Sequence, residues 1–171
     1  SQGSAGEIGH MTIQSDGPLC GCGNYGCLEA LASKTAIGKD IVALASSGDA
    51  PAIYQEIGTD FNKIKSKVIA KGVASKKDSQ VSAVVDRSAY FLGIGIANIV
   101  NIFNPEVVVI GGGLIEKLGS IFLEKTVESM KAHAMENPAD QVKVVEAELG
   151  DDAVVIGAAA LLLEDLNKDL Q

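Results

Sequence analysis

All three cysteines of this 171-residue chain and one of its two histidines fall between positions 10 and 27. They lie in Gly6-Glu7-Ile8-Gly9-His10, followed by Cys20-Gly-Cys22-Gly-Asn-Tyr-Gly-Cys27-Leu-Glu29. His10, Cys20, Cys22 and Cys27 form a Cys₃His set, one of the donor combinations of closed tetrahedral zinc sites. Such a metal fixes a loop that has too few apolar residues to hold itself. Gly21, Gly23 and Gly26 suit the same purpose, because a chain wrapping an ion needs positive φ and close backbone approach. Two alternatives stand beside zinc. A disulfide would leave an odd thiol, and Cys20 and Cys22 could pair only with strain. A free or redox-active thiol cluster is the other. Sequence separation alone does not decide whether His10 joins the thiols.

The joined pattern Gly-Glu-Ile-Gly-His and Cys-x-Cys-Gly-x-x-Gly-Cys-x-Glu resembles the signature of the ROK family (repressors, open reading frames and sugar kinases), in its bacterial glucokinase form. A second, looser resemblance lies at Asn104-Pro105-Glu106-Val107-Val108-Val109-Ile110-Gly111-Gly112-Gly113. With Gly150-Asp151-Asp152 and Gly157-Ala158-Ala159-Ala160 it extends over nearly the whole chain. Family members also carry an Asp-x-Gly-Gly-Thr phosphate loop and an Asn-Asp pair holding the catalytic aspartate. Neither occurs in these 171 residues. The resemblance therefore makes residues 1–171 the C-terminal lobe of a ROK-type sugar kinase, a fragment without catalytic residues of its own. It implies an α/β fold, part of an actin-like or ribonuclease H-like ATPase lobe, with a zinc-bound loop and a mixed sheet packed by helices.

Composition agrees with a globular piece. Hydrophobic residues make up 47% of the chain, enough for a substantial core in one domain. A net charge of −8 and a pI near 4.7 argue against direct binding to nucleic acid or an anionic membrane, which need clustered Lys and Arg. The one basic stretch, Lys63, Lys65, Lys67, Lys71, Lys76 and Lys77, scatters round a helix as a solvated face does. The opening residues read neither as a signal peptide nor as a basic arm, and a cytoplasmic location is expected. The apolar run from Ala89 to Phe103 contains Asn98 and Asn101 and falls short of about 20 uninterrupted apolar residues, so it reads as a buried helix. Gly93 and Gly95 would lower its helix propensity and admit a close neighbour.

The pattern predicts a short strand near His10–Gln14, the metal loop over Ser15–Gly26 and a helix from about Cys27. Further helices are expected over Lys34–Ser46, Pro51–Ile57, Phe61–Val73 and Ser79–Phe103. Val107–Ile110 is a β-branched run between Pro105 and three glycines, which reads as a buried parallel strand. A helix over Gly119–Met135 stopped by Asn137-Pro138, a strand over Val142–Glu146 and a helix over Asp152–Leu166 complete the alternation. Strand, helix, strand, helix calls for crossover connections and a parallel sheet.

Gly111, Gly112 and Gly113 follow that strand directly and would let a nucleotide lie against the backbone at the carboxyl end of the sheet. Glu116 breaks the Gly-x-Gly-x-x-Gly spacing, and a tight strand-to-helix turn explains the glycines equally well. The family resemblance tips the choice to an adenosine-contacting turn. It also assigns sugar contacts to Glu7, His10 and Glu29; a carboxylate suits paired hydroxyls, and a zinc-bound imidazole keeps one nitrogen for a hydroxyl. From the residues alone, Glu29 could be a helix first-turn acid and Glu7 a solvent-exposed strand residue. His133 reads as a surface residue near a helix end. The implied activity is transfer of the γ-phosphoryl group of magnesium ATP to a hexose, glucose in the glucokinase form, by a homodimer. The zinc would be structural, since four protein ligands leave no open position. A second class stays open: ROK repressors share this half as an inducer-binding and dimerising module behind a helix-turn-helix domain.

Overall fold

The computed structural model describes residues 3–58, 60–75 and 77–168; Ser1, Gln2, Thr59, Lys76 and residues 169–171 lie outside them. The centre is the helix α5, Ser79–Phe103, where the sequence places it. Around it stand α1 (Leu28–Ala32), α2 (Lys34–Ser47), α3 (Pro51–Ile57), α4 (Ser66–Ala74) and, at closest range, α7 (Ser120–His133). Between α5 and α7 run the strand β1 (Val107–Ile110) and the short helix α6 (Ile115–Leu118). The short helix α8 (Glu136–Gln141), the strand β2 (Lys143–Glu146) and α9 (Ala153–Lys168) follow α7. β1 and β2 pair in parallel, Val107 opposite Lys143 and Val109 opposite Val145. A parallel pair requires a long crossover, which α6 to α8 supply.

α5 has the length and mean hydropathy of a membrane span, yet its small residues pack inside the protein. A Cβ at Gly93 would stand 2.5 Å from the Thr126 carbonyl oxygen and from Ser129 Cβ, so the two helices touch almost backbone to backbone. The hydroxyls at this contact are satisfied: Ser129 Oγ donates to the Tyr90 carbonyl at 2.7 Å, and Thr126 Oγ1 to that of Phe122 at 2.8 Å. On another side Gly95 receives Leu28, whose Cδ2 would lie 2.6 Å from an added Cβ. One core cluster gathers Ile37, Ile41, Ile53, Ile69, Val81 and Val85; a second gathers Ile96, Val100, Met130 and Val142.

Asp78 is fully buried at the start of α5 and caps another element. Its carboxylate accepts hydrogen bonds from the backbone N–H groups of Ala52 and Ile53 at 3.0 and 3.1 Å, at the N-terminus of α3. Those are donors that a helix cannot satisfy by itself, and the partial positive charge there favours a carboxylate.

Several expectations change. His10–Gln14 is not a strand: Glu7 and Ile8 carbonyls accept from the His10 and Met11 N–H groups, winding Ile8–His10 into a 3₁₀ turn. Thr12 alone bridges to Cys27. The Phe61–Val73 helix divides into a 3₁₀ turn, Phe61–Lys63, and α4. Pro138 does not stop α7; it sits in the first turn of α8, where its missing N–H is not needed. The expected mixed sheet is, among the described residues, a parallel pair. The expected buried strand is only half covered, since Val108, Ile110 and Val144 face the helices while Val107, Val109 and Val145 point outward.

Gly93→Ala should lower stability by roughly 1–3 kcal/mol, because a methyl group there collides with backbone. Gly38→Ala in α2, where the nearest atom is Ile64 Cγ2 at 3.8 Å, should raise it by about 0.5–1 kcal/mol. Urea midpoints of the two variants test the pair; equal shifts would show that α5 and α7 do not meet at Gly93.

Candidate metal centre and ligand turns

The loop before α1 is a crossed hairpin built from backbone bonds. The Gly26 carbonyl accepts from the N–H groups of Ile13 and Gln14, at 2.8 and 3.2 Å, and its own N–H donates to Pro18 O at 2.9 Å. Gly26 has φ +67°, and a Cβ there would lie 1.5 Å from the Gln14 oxygen, so only glycine allows the two arms to cross. At the tip, Gly23 (φ +92°) donates to Cys20 O, and Cys20 N–H donates to Asn24 O, closing a tight turn that holds Cys22 outward. Cys27 is the residue before α1, fully buried, and Leu28 N–H donates to Met11 O. The hairpin is thus sewn to α1, and α1 to α5 through Leu28 in the Gly95 notch.

This folding brings the four proposed ligands together. His10 Nδ1, Cys20 Sγ, Cys22 Sγ and Cys27 Sγ all lie within 4.8 Å of one another. Cys20 Sγ is 3.6 Å from His10 Nδ1, and Cys22 Sγ is 3.7 Å from Cys27 Sγ. Zinc bonds of about 2.3 Å to sulfur and about 2.0 Å to nitrogen give a tetrahedron with edges of about 3.8 Å (S···S) and 3.5 Å (S···N). The two spacings match those edges and are far beyond a disulfide bond of about 2.05 Å, and all three thiols are free. The disulfide alternative falls on that distance. The thiols differ in acidity: a hydrogen bond from the Asn24 backbone holds Cys22 below the ordinary value, while burial pushes Cys27 up to about 12. At neutral pH Cys27 therefore keeps its proton unless a cation replaces it. The donor set fits zinc in number, type and spacing.

Of the three residues assigned to sugar, two meet. Glu29, half exposed in the first turn of α1, holds Oε2 3.9 Å from His10 Nδ1. Gly9 lies beside the pair, with Glu29 Cβ and Oε2 at ordinary contact distances, 3.6 and 3.7 Å, from where its Cβ would be. Glu7 is exposed just before the 3₁₀ turn and makes no capping bond. Since Nδ1 faces Cys20, Nε2 of His10 is the nitrogen left for a hydroxyl.

Gly111–Gly113 lie at the carboxyl ends of both strands, where Ala147 N–H donates to Ile110 O. Gly112 has φ +110° and nothing within 4 Å of a built Cβ. The turn is open. Beside it Glu116 Oε1 is buried without a hydrogen-bond partner, facing the Gly150 turn.

A cleft of about 520 Å³ beside the hairpin, lined by Glu29, Ser33, Lys39, Asp40, Arg87 and Phe91, went unread in the sequence. Arg87, the only arginine, pairs there with Asp40. A lone arginine in a long apolar helix was the available signal. His133, as expected, is an exposed residue of the last turn of α7, its Nδ1–H donating to Ser129 O at 2.8 Å.

Residues 1–165 match the ROK family profile. The chain belongs to the ROK family. It is 38% identical over 169 residues to the glucokinase of Halalkalibacterium halodurans, covering 96% of this chain and 49% of that protein. To the DNA-binding transcriptional dual regulator NagC of Escherichia coli it is 34% identical over 160 residues, covering 94% and 37%. A crystallised ROK glucokinase of Streptomyces griseus, in complex with glucose and AMPPNP, superposes with a TM-score of 0.77 at 28% identity, covering 92% and 51%. The chain thus spans about half or less of the length of these relatives.

Elemental analysis after gel filtration should find zinc with this chain, and zinc uptake by the metal-stripped chain at neutral pH should release protons from thiols. Cys22→Ser should lose the metal and speed hydrogen exchange over residues 15–29 much more than at Val107–Ile110. A metal-free chain with a fully protected hairpin would refute the site.

Proposed function

We propose that this chain is the sugar-orienting and nucleotide-contacting half of an ATP-dependent hexose kinase of the cytoplasm, acting on glucose as a homodimer. The observation that carries the proposal is the His10–Glu29 pair, held on a hairpin whose four donor atoms fit zinc. Bound zinc would be structural, locking the hairpin and leaving no position for water or substrate.

Phosphoryl transfer asks a protein mainly for positioning and charge stabilisation. Glu29 accepts hydrogen bonds from adjacent sugar hydroxyls, and His10 Nε2 meets another hydroxyl, so the ring is gripped on one edge. Glu7 lies upstream on the same segment as a third polar contact. The open turn Gly111–Gly113 lets the adenosine part of magnesium ATP lie against backbone, and the orphan Glu116 oxygen is a ready acceptor beside it. The catalytic base and phosphate loop belong to the rest of the parent protein. The likeness to NagC favours a second reading, an inducer-binding module of a repressor, which needs the sugar contacts but not the glycine turn.

In the full-length parent, Glu29→Gln should weaken glucose binding by about one to two orders of magnitude, the loss of charge-assisted bonding in a buried contact, with zinc content unchanged. Calorimetry and a zinc assay on one preparation test this; unaltered affinity would return Glu29 to the role of a helix first-turn acid. Gly112→Val in the parent should weaken ATP binding and spare glucose. A parent that binds glucose but never ATP is the repressor. The 171-residue chain by itself should show only background phosphorylation of glucose, and clear turnover would mean that the base lies within it.

A further inference from the structure

Among the described residues, one buried side-chain oxygen has no hydrogen-bond partner, Oε1 of Glu116. Buried acceptors without donors are rare, because leaving one dry costs stability, and each asks for a reason. Oε1 is covered by atoms of this chain itself, so further polypeptide can only add to its burial. Ile115, 2% exposed, fixes α6 in the core, and the Glu116 N–H donates to Gly112 O at 3.3 Å. Carboxylate and glycine turn are thereby held as one piece. Across from them stands Gly150 (φ +49°), where a Cβ would lie 3.2 Å from Oε1. The Ala147 N–H, bonded to Ile110 O, ties the two turns together at the carboxyl ends of β1 and β2. With no bond to break, rotation of the half-buried Glu116 side chain carries its oxygen from the cover of Gly150 to the open side of Gly112.

An occupant of that side must bring an O–H or N–H, because a carboxylate only accepts. Phosphate brings neither and is repelled by the charge. On the other flank of the turn Ser66, 8% exposed, sets its neutral hydroxyl 3.4 Å from where a Gly113 Cβ would be. The two flanks give the turn a direction, with the nucleoside toward Glu116 and the phosphates away from it. A base amino group offers a carboxylate one atom, whereas the ribose diol offers two adjacent donors for its two oxygens. An acidic residue on the ribose, near a glycine turn at the carboxyl ends of parallel strands, is also the arrangement of dinucleotide sites.

We infer that Glu116 is the residue by which this turn selects a ribonucleotide, its carboxylate accepting from the ribose hydroxyls. The inference rests on the nucleotide reading of Gly111–Gly113 and adds to it an orientation and a preference for ribose over deoxyribose. Unliganded, the carboxylate is an uncompensated acceptor, and bound ribose supplies the donors it lacks.

Calorimetry on the full-length parent tests this with ATP, 2′,3′-dideoxy-ATP and purine riboside triphosphate, which lacks the 6-amino group. The wild type should bind ATP about 10–100-fold more tightly than the dideoxy analogue, the worth of a hydrogen bond to a charged group. In Glu116→Gln that ratio should fall below about fivefold, and in Glu116→Ala to near one, with glucose affinity unchanged. The unliganded Glu116→Gln parent should melt no lower than the wild type. Equal discrimination in wild type and variants, with ATP still bound, would overturn the inference and leave the nucleotide reading standing; binding of none of the three triphosphates would remove both. A ratio between ATP and purine riboside triphosphate that collapses in the variants would place the carboxylate on the base and overturn it. So would a melting temperature of Glu116→Gln lower by about 4 °C or more, which would mean that the carboxylate has a protein partner in the parent.

Discussion

The contact between α5 and α7 at Gly93 governs the rest of the molecule. With no side chain at that position, Thr126 and Ser129 come close enough for a hydroxyl of one helix to reach a carbonyl of the other. Close approach gives dense packing at the cost of tolerance, since a methyl group has no room there. From this axis the other helices take their places: α2 and α4 on the Val81 and Val85 side, α8 and the sheet on the Ile96 and Val100 side. The apolar character of α5, which could pass for a membrane span by composition, is thus the requirement of a helix with neighbours on several sides.

Two residues beyond Gly93, the same helix supports the candidate site. Leu28 enters the Gly95 notch directly after Cys27, so the metal hairpin is anchored through one adjacent pair of residues to the most buried element of the chain. Asn98 Nδ2 reaches Met11 Sδ at 3.3 Å, and Ser88 Oγ donates to Ala32 O at 3.0 Å, steadying the residues on either side. Cys20 and Cys27 are buried while Cys22 is exposed, so the donor set is sunk on one side into the protein. A metal there couples a loop held by backbone turns to a helix held by packing. His10 and Glu29, which face each other across it, inherit that rigidity.

The glycine turn has a different foundation. It rests on a parallel pair covered on one face only, beside a carboxylate oxygen that has no donor within reach. The residues proposed for sugar meet within this chain, whereas the glycine turn proposed for nucleotide lies open on its surface. ROK relatives of both kinds, a glucokinase and a DNA-binding regulator, share this half at similar identity.

The sequence by itself marked the candidate metal donors, because ligand chemistry is carried by residue type and spacing, and determined the elements whose limits are set locally. Pro51 opens α3, the β-branched run of β1 ends in three glycines, and α5 keeps its apolar character to Phe103. Only the tertiary structure decided which nitrogen of His10 faces the thiols, that Glu29 and not Glu7 stands against it, and that Asp78 caps a helix some 25 residues away. Those depend on where separate segments meet. The strand expected at His10–Gln14 failed because consecutive carbonyls and N–H groups from Glu7 onward found each other first. The burial expected of β1 was only half met because, among the described residues, helices pack on one face of the parallel pair, and apolarity alone does not say where neighbouring elements will lie.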